Sequence, residues 1–368
     1  MNHLLFILGE EILINEPFKD YIIRTYKAKF KELKELRFST KIDKNFPFIL
    51  EELLLKYDFI TLFSQQANHA TIAKILSTLS DDNLVLKDDF LVPDKASFTK
   101  NSYLCEFELE QKPCKINVLS VSLNDDLPAL LGDINLNEAY FCLYSMDSES
   151  ANLLLQTLSS TYRISLCVSE LLSDLVLIKA SAFNQNELES FLQGVSKLFG
   201  SKFFLNDNPV SFVTSRLLEK DLKISFAESC TGGLLASDLT SIEGVSAIFE
   251  GSLVTYSKRL KHEWLGVSEA VLDGGGVYSE RCIYFMLKGL FKTANPDFAI
   301  AISGVASGMN EGVRAGEIFI GAMYKDGTFL QEKLSLKGDR NFIRKQALFA
   351  AFMLLPKLKN EIFENFTL

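Results

Sequence analysis

Glycine is spread very unevenly along this chain. Of its 20 glycines only Gly9 and Gly132 precede residue 190, and 16 stand at or after Gly232. Loops that press backbone N–H groups against a phosphate or an oxyanion need glycine, both for positive φ and for close approach. The last third can build such loops and the first half scarcely can, so chemistry that relies on backbone cradles belongs to the C-terminal part. Charge divides along a similar line: the first 210 residues hold 20 basic and 29 acidic side chains, and the stretch from Ser211 onward holds 18 of each. A net charge of −9 argues against a broad phosphate-gripping surface, and no nucleic-acid partner is expected.

With 368 residues the chain exceeds one ordinary core, since domains cluster near ~100–150 residues, and two or three folding units are expected. The first part alternates strand and helix: strand at 3–8, helix at 18–33, strand at 38–42, helix at 46–57 and strand at 58–63, with later strands at 86–92 and 116–121. Alternation of this kind predicts a parallel-sheet α/β domain. From Ala139 a small β-α-β-β-α unit follows, with strands at 139–145, 163–168 and 175–180 and helices at 148–159 and 187–199. A polar turn at Asn206–Pro209 then leads into a helix at 211–219 and a strand at 223–227. The fold class is α/β and multi-domain, with domains expected at 1–137, 138–205 and 206–368.

The opening segment Met1–Leu8 has no basic start and is followed by Glu10 and Glu11, which does not fit a signal peptide, so a cytoplasmic protein is expected. The longest apolar run, Ala347–Leu355, is far short of the ~20 residues that cross a bilayer and reads as a buried helix. The six cysteines (105, 114, 142, 167, 230 and 282) are scattered, with no C-x-x-C pair, so neither a zinc site nor a disulfide framework is indicated. No metal or cofactor is expected, and no membrane partner.

The segment Ala227-Glu228-Ser229-Cys230-Thr231-Gly232-Gly233 joins a predicted strand to a predicted helix and sets small nucleophiles at a turn rich in free amides. Ser229 reads either as a nucleophile or, like Thr231, as a helix cap. A serine needs an adjacent base, and histidine is scarce: only His3, His69 and His262 are present. Lys261, following Thr255-Tyr256-Ser257, is the candidate, because desolvation lowers a lysine's pKa; its alternative reading is a solvated helix lysine. Ser303-Gly304-Val305-Ala306-Ser307-Gly308 follows an apolar strand, where α/β sheets bind ligands, and reads equally as a surface turn. Arg340 and Arg344 stand four apart at a helix start, as a phosphate or carboxylate fork or as a solvated basic face.

Taken together these motifs resemble the CinA-type competence/damage-inducible family, whose C-terminal domain is a nicotinamide mononucleotide deamidase fold. The resemblance runs from about Ser211 to Leu355 and adds Gly244-Val245-Ser246, Leu265-Gly266-Val267, Gly276-Val277-Tyr278-Ser279 and Gly338-Asp339-Arg340 to the segments above. It implies a homo-oligomeric domain, a dimer or larger, that hydrolyses the carboxamide of nicotinamide mononucleotide to nicotinate mononucleotide and ammonia. On this sequence it implies Ser229 as nucleophile, Lys261 as proton acceptor and Tyr256 as an orienting or assisting donor. The Thr231, Gly232 and Gly233 amides would hold the oxyanion, with Cys230, Ser303, Gly304 and Arg344 lining the site and Arg340 meeting the phosphate. Cys230 is the rival nucleophile. The usual Gly-Pro and Val-Gly-Thr of the family's last loop are replaced by Ser307-Gly308 and Ala315-Gly316-Glu317, which puts a carboxylate near the expected anionic substrate.

The N-terminal part faintly resembles the family's molybdopterin-binding-like domain through Gly9-Glu10-Glu11-Ile12-Leu13. Its glycine-rich turn and paired aspartates are replaced by Phe63-Ser64-Gln65-Gln66-Ala67-Asn68-His69, so a degenerate domain serving assembly is expected. The 138–205 unit resembles the family's KH-like linker domain without the G-x-x-G that clamps RNA. Two other functions stay open: a non-enzymatic assembly or regulatory module, and ADP-ribose hydrolysis by the first domain.

Overall fold

The structure, a computed structural model, describes residues 2–123, 125–134, 137–273 and 276–364. Residues 1, 124, 135, 136, 274, 275 and 365–368 belong to the expected domains 1–137 and 206–368 and lie outside the described residues. Two compact units divide at residues 136/137.

The first unit contains β1 (His3–Leu8), α1 (Glu10–Ile14), α2 (Glu16–Phe30), β2 (Glu35–Ser39), α3 (Phe46–Lys56), β3 (Phe59–Gln65), α4 (Gln66–Leu79), β4 (Leu84–Lys87), β5 (Phe90–Pro93), β6 (Ser97–Thr99), β7 (Ser102–Leu109) and β8 (Lys112–Val121). Its sheet runs β2-β1-β3-β8-β7-β6; the first four strands are parallel, and β7 and β6 add an antiparallel edge. The reason lies in the strands: β1 is apolar and buried on both faces, as a central parallel strand covered by helices requires. Asn15 starts α2 two residues earlier than the periodicity predicts, its side chain accepting the Phe18 N–H at 3.1 Å. The single strand expected at 86–92 is instead the β4/β5 hairpin, turning at Asp88 and Asp89, both in left-handed conformations that aspartate tolerates. β3 passes directly into α4 at Gln65/Gln66.

The second unit opens with β9 (Glu138–Tyr144), α5 (Ser148–Tyr162), β10 (Ser165–Leu172), β11 (Leu175–Ser181), α6 (Gln185–Phe199) and β12 (Phe203–Phe204), an antiparallel sheet in the order β10-β11-β9-β12. It continues with α7 (Pro209–Glu219), β13 (Ile224–Glu228), α8 (Leu234–Thr240), β14 (Phe249–Val254), α9 (Lys258–Leu265), α10 (Glu269–Asp273), α11 (Glu280–Thr293), β15 (Phe298–Gly304), the short hairpin β16 (Met309–Asn310) and β17 (Val313–Arg314), β18 (Glu317–Tyr324), β19 (Phe329–Ser335), α12 (Arg340–Leu358) and α13 (Asn360–Phe363). This second sheet runs β14-β13-β15-β18-β19, parallel across the first three strands and antiparallel thereafter.

Alternation along β13 and β15 sorts the two faces. Phe226, Phe298, Ile300 and Ile302 join the core built with α7, α8 and α12, whereas Ala227, Ala299 and Ala301 face α11 with Ile283, Met286 and Leu287. The small residues let α11 lie close to the sheet: a Cβ on Gly321 would come within 2.4 Å of Ile283. The α12 core also takes in Tyr144, Leu172, Leu175 and Phe204 from the small sheet, with Phe204 stacked on Phe212 at 4.1 Å. Lys357 of α12 bridges Asp174 at 2.8 Å and Glu332 at 3.1 Å, so both sheets of this unit are fastened to one helix. The run 347–355 is buried as expected except for half-buried Phe349, and α12 continues through Pro356 to Leu358. Among the described residues no helix is long and apolar enough to cross a membrane.

Candidate active site

The parallel register sets the C-terminal ends of β13, β14 and β15 side by side. Ser229 N–H donates to the Ile302 carbonyl at 3.1 Å and Thr255 N–H to the Glu228 carbonyl at 2.8 Å, so three segments far apart in sequence meet at one edge of the sheet.

Ser229 (5% exposed) leaves β13 there, and α9, begun by the Ser257 side chain, turns Lys261 (0% exposed) back beneath it. Lys261 Nζ lies 2.8 Å from Ser229 Oγ, 2.7 Å from the Thr255 carbonyl and 3.5 Å from the Tyr256 carbonyl. Burial pushes its pKa below the ordinary lysine value, and the Cys282 and Cys230 thiols only partly oppose that. Lys261 Nζ donates to all three of these oxygens, so the amine and the serine hydroxyl are joined by a direct hydrogen bond along which a proton can pass. The solvated-lysine alternative does not hold here.

The neighbouring thiol is a different kind of group. Burial pushes Cys230 up to about 12, outweighing the pull of Lys261, Arg344 and Arg340, so it is a protonated, inert sulfhydryl near neutral pH.

Gly232 and Gly233 take consecutive left-handed conformations (φ 58° and 91°), which only glycine adopts at low cost. Their amides were expected to hold an oxyanion, and the structure commits both elsewhere. Gly232 N–H donates to the Ser229 carbonyl at 3.1 Å, closing the turn, and Gly233 N–H donates to the Glu228 carboxylate at 2.9 Å. Among the described residues the Cys230 and Thr231 N–H groups donate to no other residue, the Cys230 amide lying only against its own thiol, and these two amides directly follow the serine. The Thr231 hydroxyl is buried and has no hydrogen-bond partner among the described residues.

Tyr256 is 60% exposed, and its hydroxyl accepts from Arg340 Nη2 at 3.2 Å; it makes no bond to Ser229 or Lys261, which only its backbone carbonyl approaches. Arg340 Nη1 donates to Ser307 Oγ at 2.9 Å, and among the described residues no carboxylate is hydrogen-bonded to this guanidinium. Arg344 donates through Nη2 to the Thr231 carbonyl, bracing the nucleophile loop from α12. Both arginines therefore sit at the same rim as the serine.

Ser303 and Gly304 were expected to line the site, and their polar and steric roles are spent on the scaffold. The buried Ser303 hydroxyl donates to the Val277 carbonyl at 2.9 Å, and a Cβ on Gly304 would come within 2.6 Å of the Glu317 carbonyl across the β15/β18 pairing. The segment beyond them forms the β16/β17 hairpin, held by Arg340 on Ser307, by Asn310 on the Tyr278 hydroxyl at 2.7 Å, and by Glu311 on Lys258 at 2.6 Å. Glu317, expected near the substrate, pairs with Lys333 of β19 at 2.9 Å, and that hydrogen bond holds it below the usual carboxylate range. Sequence reasoning missed Glu228, Thr255, Ser307 and Tyr278; for Glu228 the available signal was a carboxylate in an otherwise apolar strand immediately before the serine.

The family model described as the CinA C-terminal domain matches residues 207–359. Nicotinamide-nucleotide amidohydrolase PncC of Enterobacter agglomerans is 40% identical over 152 residues, covering 41% of this chain and 92% of that protein. A CinA-like protein of Fervidobacterium nodosum is 40% identical over 164 residues, covering 44% of this chain and 40% of its own length. A putative competence-damage inducible protein of Clostridium beijerinckii is 39% identical, again over 40% of its own length, so the match spans about two fifths of these longer relatives. Among solved structures, the competence/damage inducible protein CihA from Agrobacterium tumefaciens is 28% identical, covering 42% of this chain and 99% of that one, with a TM-score of 0.40.

Proposed function

The chain belongs to the CinA family, matched through its C-terminal domain, and from that premise we propose that its second unit is an amidohydrolase that converts nicotinamide mononucleotide to nicotinate mononucleotide and ammonia. The observation that carries the reading is the buried Lys261 amine at 2.8 Å from Ser229 Oγ. Lys261, whose proton affinity burial lowers, takes the serine proton as Oγ attacks the carboxamide carbon. The oxyanion forms beside the Cys230 and Thr231 amides. Protonated Lys261 then gives its proton to the departing nitrogen, the C–N bond breaks, ammonia leaves and an ester to Ser229 remains. Water, deprotonated by the same amine, attacks that ester; the C–O bond breaks, nicotinate mononucleotide is released and the serine is restored.

Arg340 meets the nucleotide phosphate, because among the described residues its guanidinium bonds only neutral hydroxyls, and its charge and fork match phosphate oxygens. Tyr256 orients Arg340 through its hydroxyl and Lys261 through its carbonyl. The protein acts in the cytoplasm as a homo-oligomer, and the first unit serves assembly, its direct β3-to-α4 passage leaving no glycine turn to cradle a pyrophosphate. The domain division at 137/138 and 205/206 is part of the same proposal.

Ammonia release by purified protein supplied with nicotinamide mononucleotide tests the reading. Turnover is expected from the wild type and its loss from Ser229→Ala and Lys261→Ala; full activity in both variants would overturn the mechanism. Absence of nicotinamide mononucleotide binding in calorimetry, with the fold intact, would favour a regulatory module instead.

A further inference from the structure

Glu228 has no part in the chemistry above, yet it is a fully buried carboxylate at the last position of β13, one residue before the nucleophile. Four donors converge on it. Gly233 N–H and Leu235 N–H reach Oε2 at 2.9 and 3.1 Å, while Ala236 N–H and the Ser252 hydroxyl reach Oε1 at 3.2 and 2.9 Å. None of these partners is a cation. A strand, a glycine pair and a helix with several amides turned onto one point is the arrangement in which glycine-rich loops hold external anions. Here the point is already filled by the chain itself.

We propose that Glu228 is a positioning residue whose carboxylate fills the loop's own anion seat, and that this sets both the oxyanion donors and the place of the substrate's phosphate. With the Gly233, Leu235 and Ala236 amides drawn inward to the carboxylate, and Gly232 N–H closing the turn, the Cys230 and Thr231 amides are the ones left beside Ser229. Because a buried negative charge occupies the seat, a substrate phosphate is repelled from the glycine loop and goes to the Arg340 rim. Ser252 ties the same carboxylate to β14, and the Glu228 backbone carbonyl accepts the Thr255 N–H whose own carbonyl holds Lys261. One residue thus connects the nucleophile loop to the base. For the reaction this rests on the amidohydrolase reading; for the loop it does not.

The test is Glu228→Ala, full-length, with formate as a small external carboxylate and chloride at equal ionic strength as the control. The thermal midpoint of the variant is expected to lie below that of the wild type and to rise with formate, by mass action on a ligand that binds only the folded state. The wild type is expected not to respond. On nicotinamide mononucleotide, kcat is expected to fall about 100-fold, as when an oxyanion donor is misplaced, with KM changed less than threefold and kcat partly restored by formate. A variant that melts and turns over like the wild type, or one that responds to formate no differently from the wild type, would overturn the proposal. If Glu228→Ala does not fold, Glu228→Gln carries the test, since it keeps the volume but turns an amide N–H₂ toward N–H donors; wild-type stability and kcat there would also overturn it. If the wild type releases no ammonia, the amidohydrolase reading fails, and the formate response of the melting midpoint still decides the seat.

Discussion

Lys261→Met removes the proton acceptor while keeping most of the buried volume, and it is expected to lower the rate and to change stability in a way that depends on pH. The substitution deletes two short hydrogen bonds, to Ser229 Oγ at 2.8 Å and to the Thr255 carbonyl at 2.7 Å. Loss of a positioned base costs about 10²–10⁴ in kcat. In stability, a buried carbonyl left unpaired costs about 1–3 kcal/mol, and relief of lysine desolvation offsets it. The relief depends on pH with a definite sign. The folded pKa of Lys261 is lowered below the unfolded value of 10.5, so between the two the unfolded chain binds more protons and wild-type stability rises with pH. Below the folded pKa the wild type carries the whole penalty of a buried ammonium, about 1.4 kcal/mol for each tenfold loss of proton affinity; near 10.5 and above it carries none. Relative to the wild type, Lys261→Met is therefore expected to be most favoured at neutral pH and to lose that advantage as pH climbs toward 10.5. Calorimetric midpoints of both proteins at pH 7 and pH 10, with all other titrations common to the pair, read this difference. A gap that stays constant with pH, or a variant that keeps its kcat, would refute the argument that burial lowers the proton affinity of Lys261 and lets it act as a base.

Three further outcomes follow from the same geometry. Cys230→Ala is expected to keep kcat within about threefold, because its thiol is protonated near neutral pH; steady-state ammonia release checks it, and a loss of about 10² or more would make sulfur the nucleophile. Arg340→Gln is expected to raise KM for nicotinamide mononucleotide about 10–100-fold, the worth of a charge-assisted hydrogen bond, and to leave the weaker hydrolysis of the phosphate-free nucleoside unchanged, as parallel kinetics on the two substrates would show. Gly304→Ala is expected to destabilise the fold by about 1–3 kcal/mol in urea unfolding, because its Cβ meets the Glu317 carbonyl at 2.6 Å.

Local pattern carried a good deal of this fold. The apolar runs at β1, β13 and β15 and the Ser-Cys-Thr-Gly-Gly turn after β13 are each encoded within a few residues, so the strand end before Ser229 and the helix bearing Lys261 are legible in the sequence. The β4/β5 hairpin could not, because Asp88-Asp89 interrupts a run that otherwise has strand composition. Nor could the choice of amides around Ser229. Gly232 and Gly233 announce a turn, but which N–H groups face outward depends on the Glu228 side chain folding forward onto residues five to eight positions ahead. Ser303 looked like a ligand contact for the same reason: a hydroxyl at a strand end is equally suited to a ligand or to the Val277 carbonyl 26 residues away, and only packing decides. The Arg340, Ser307 and Tyr256 contact joins residues 33 and 84 apart, a distance over which periodicity has nothing to say.

Acid quenching of the wild type during turnover of nicotinamide mononucleotide, followed by peptide mass mapping, interrogates the Ser229–Lys261 pair most directly. A nicotinoyl nucleotide ester on the peptide that contains Ser229, absent from Ser229→Ala, is the expected result. Ammonia released at the wild-type rate by Ser229→Ala, or an adduct carried by Cys230, would contradict it.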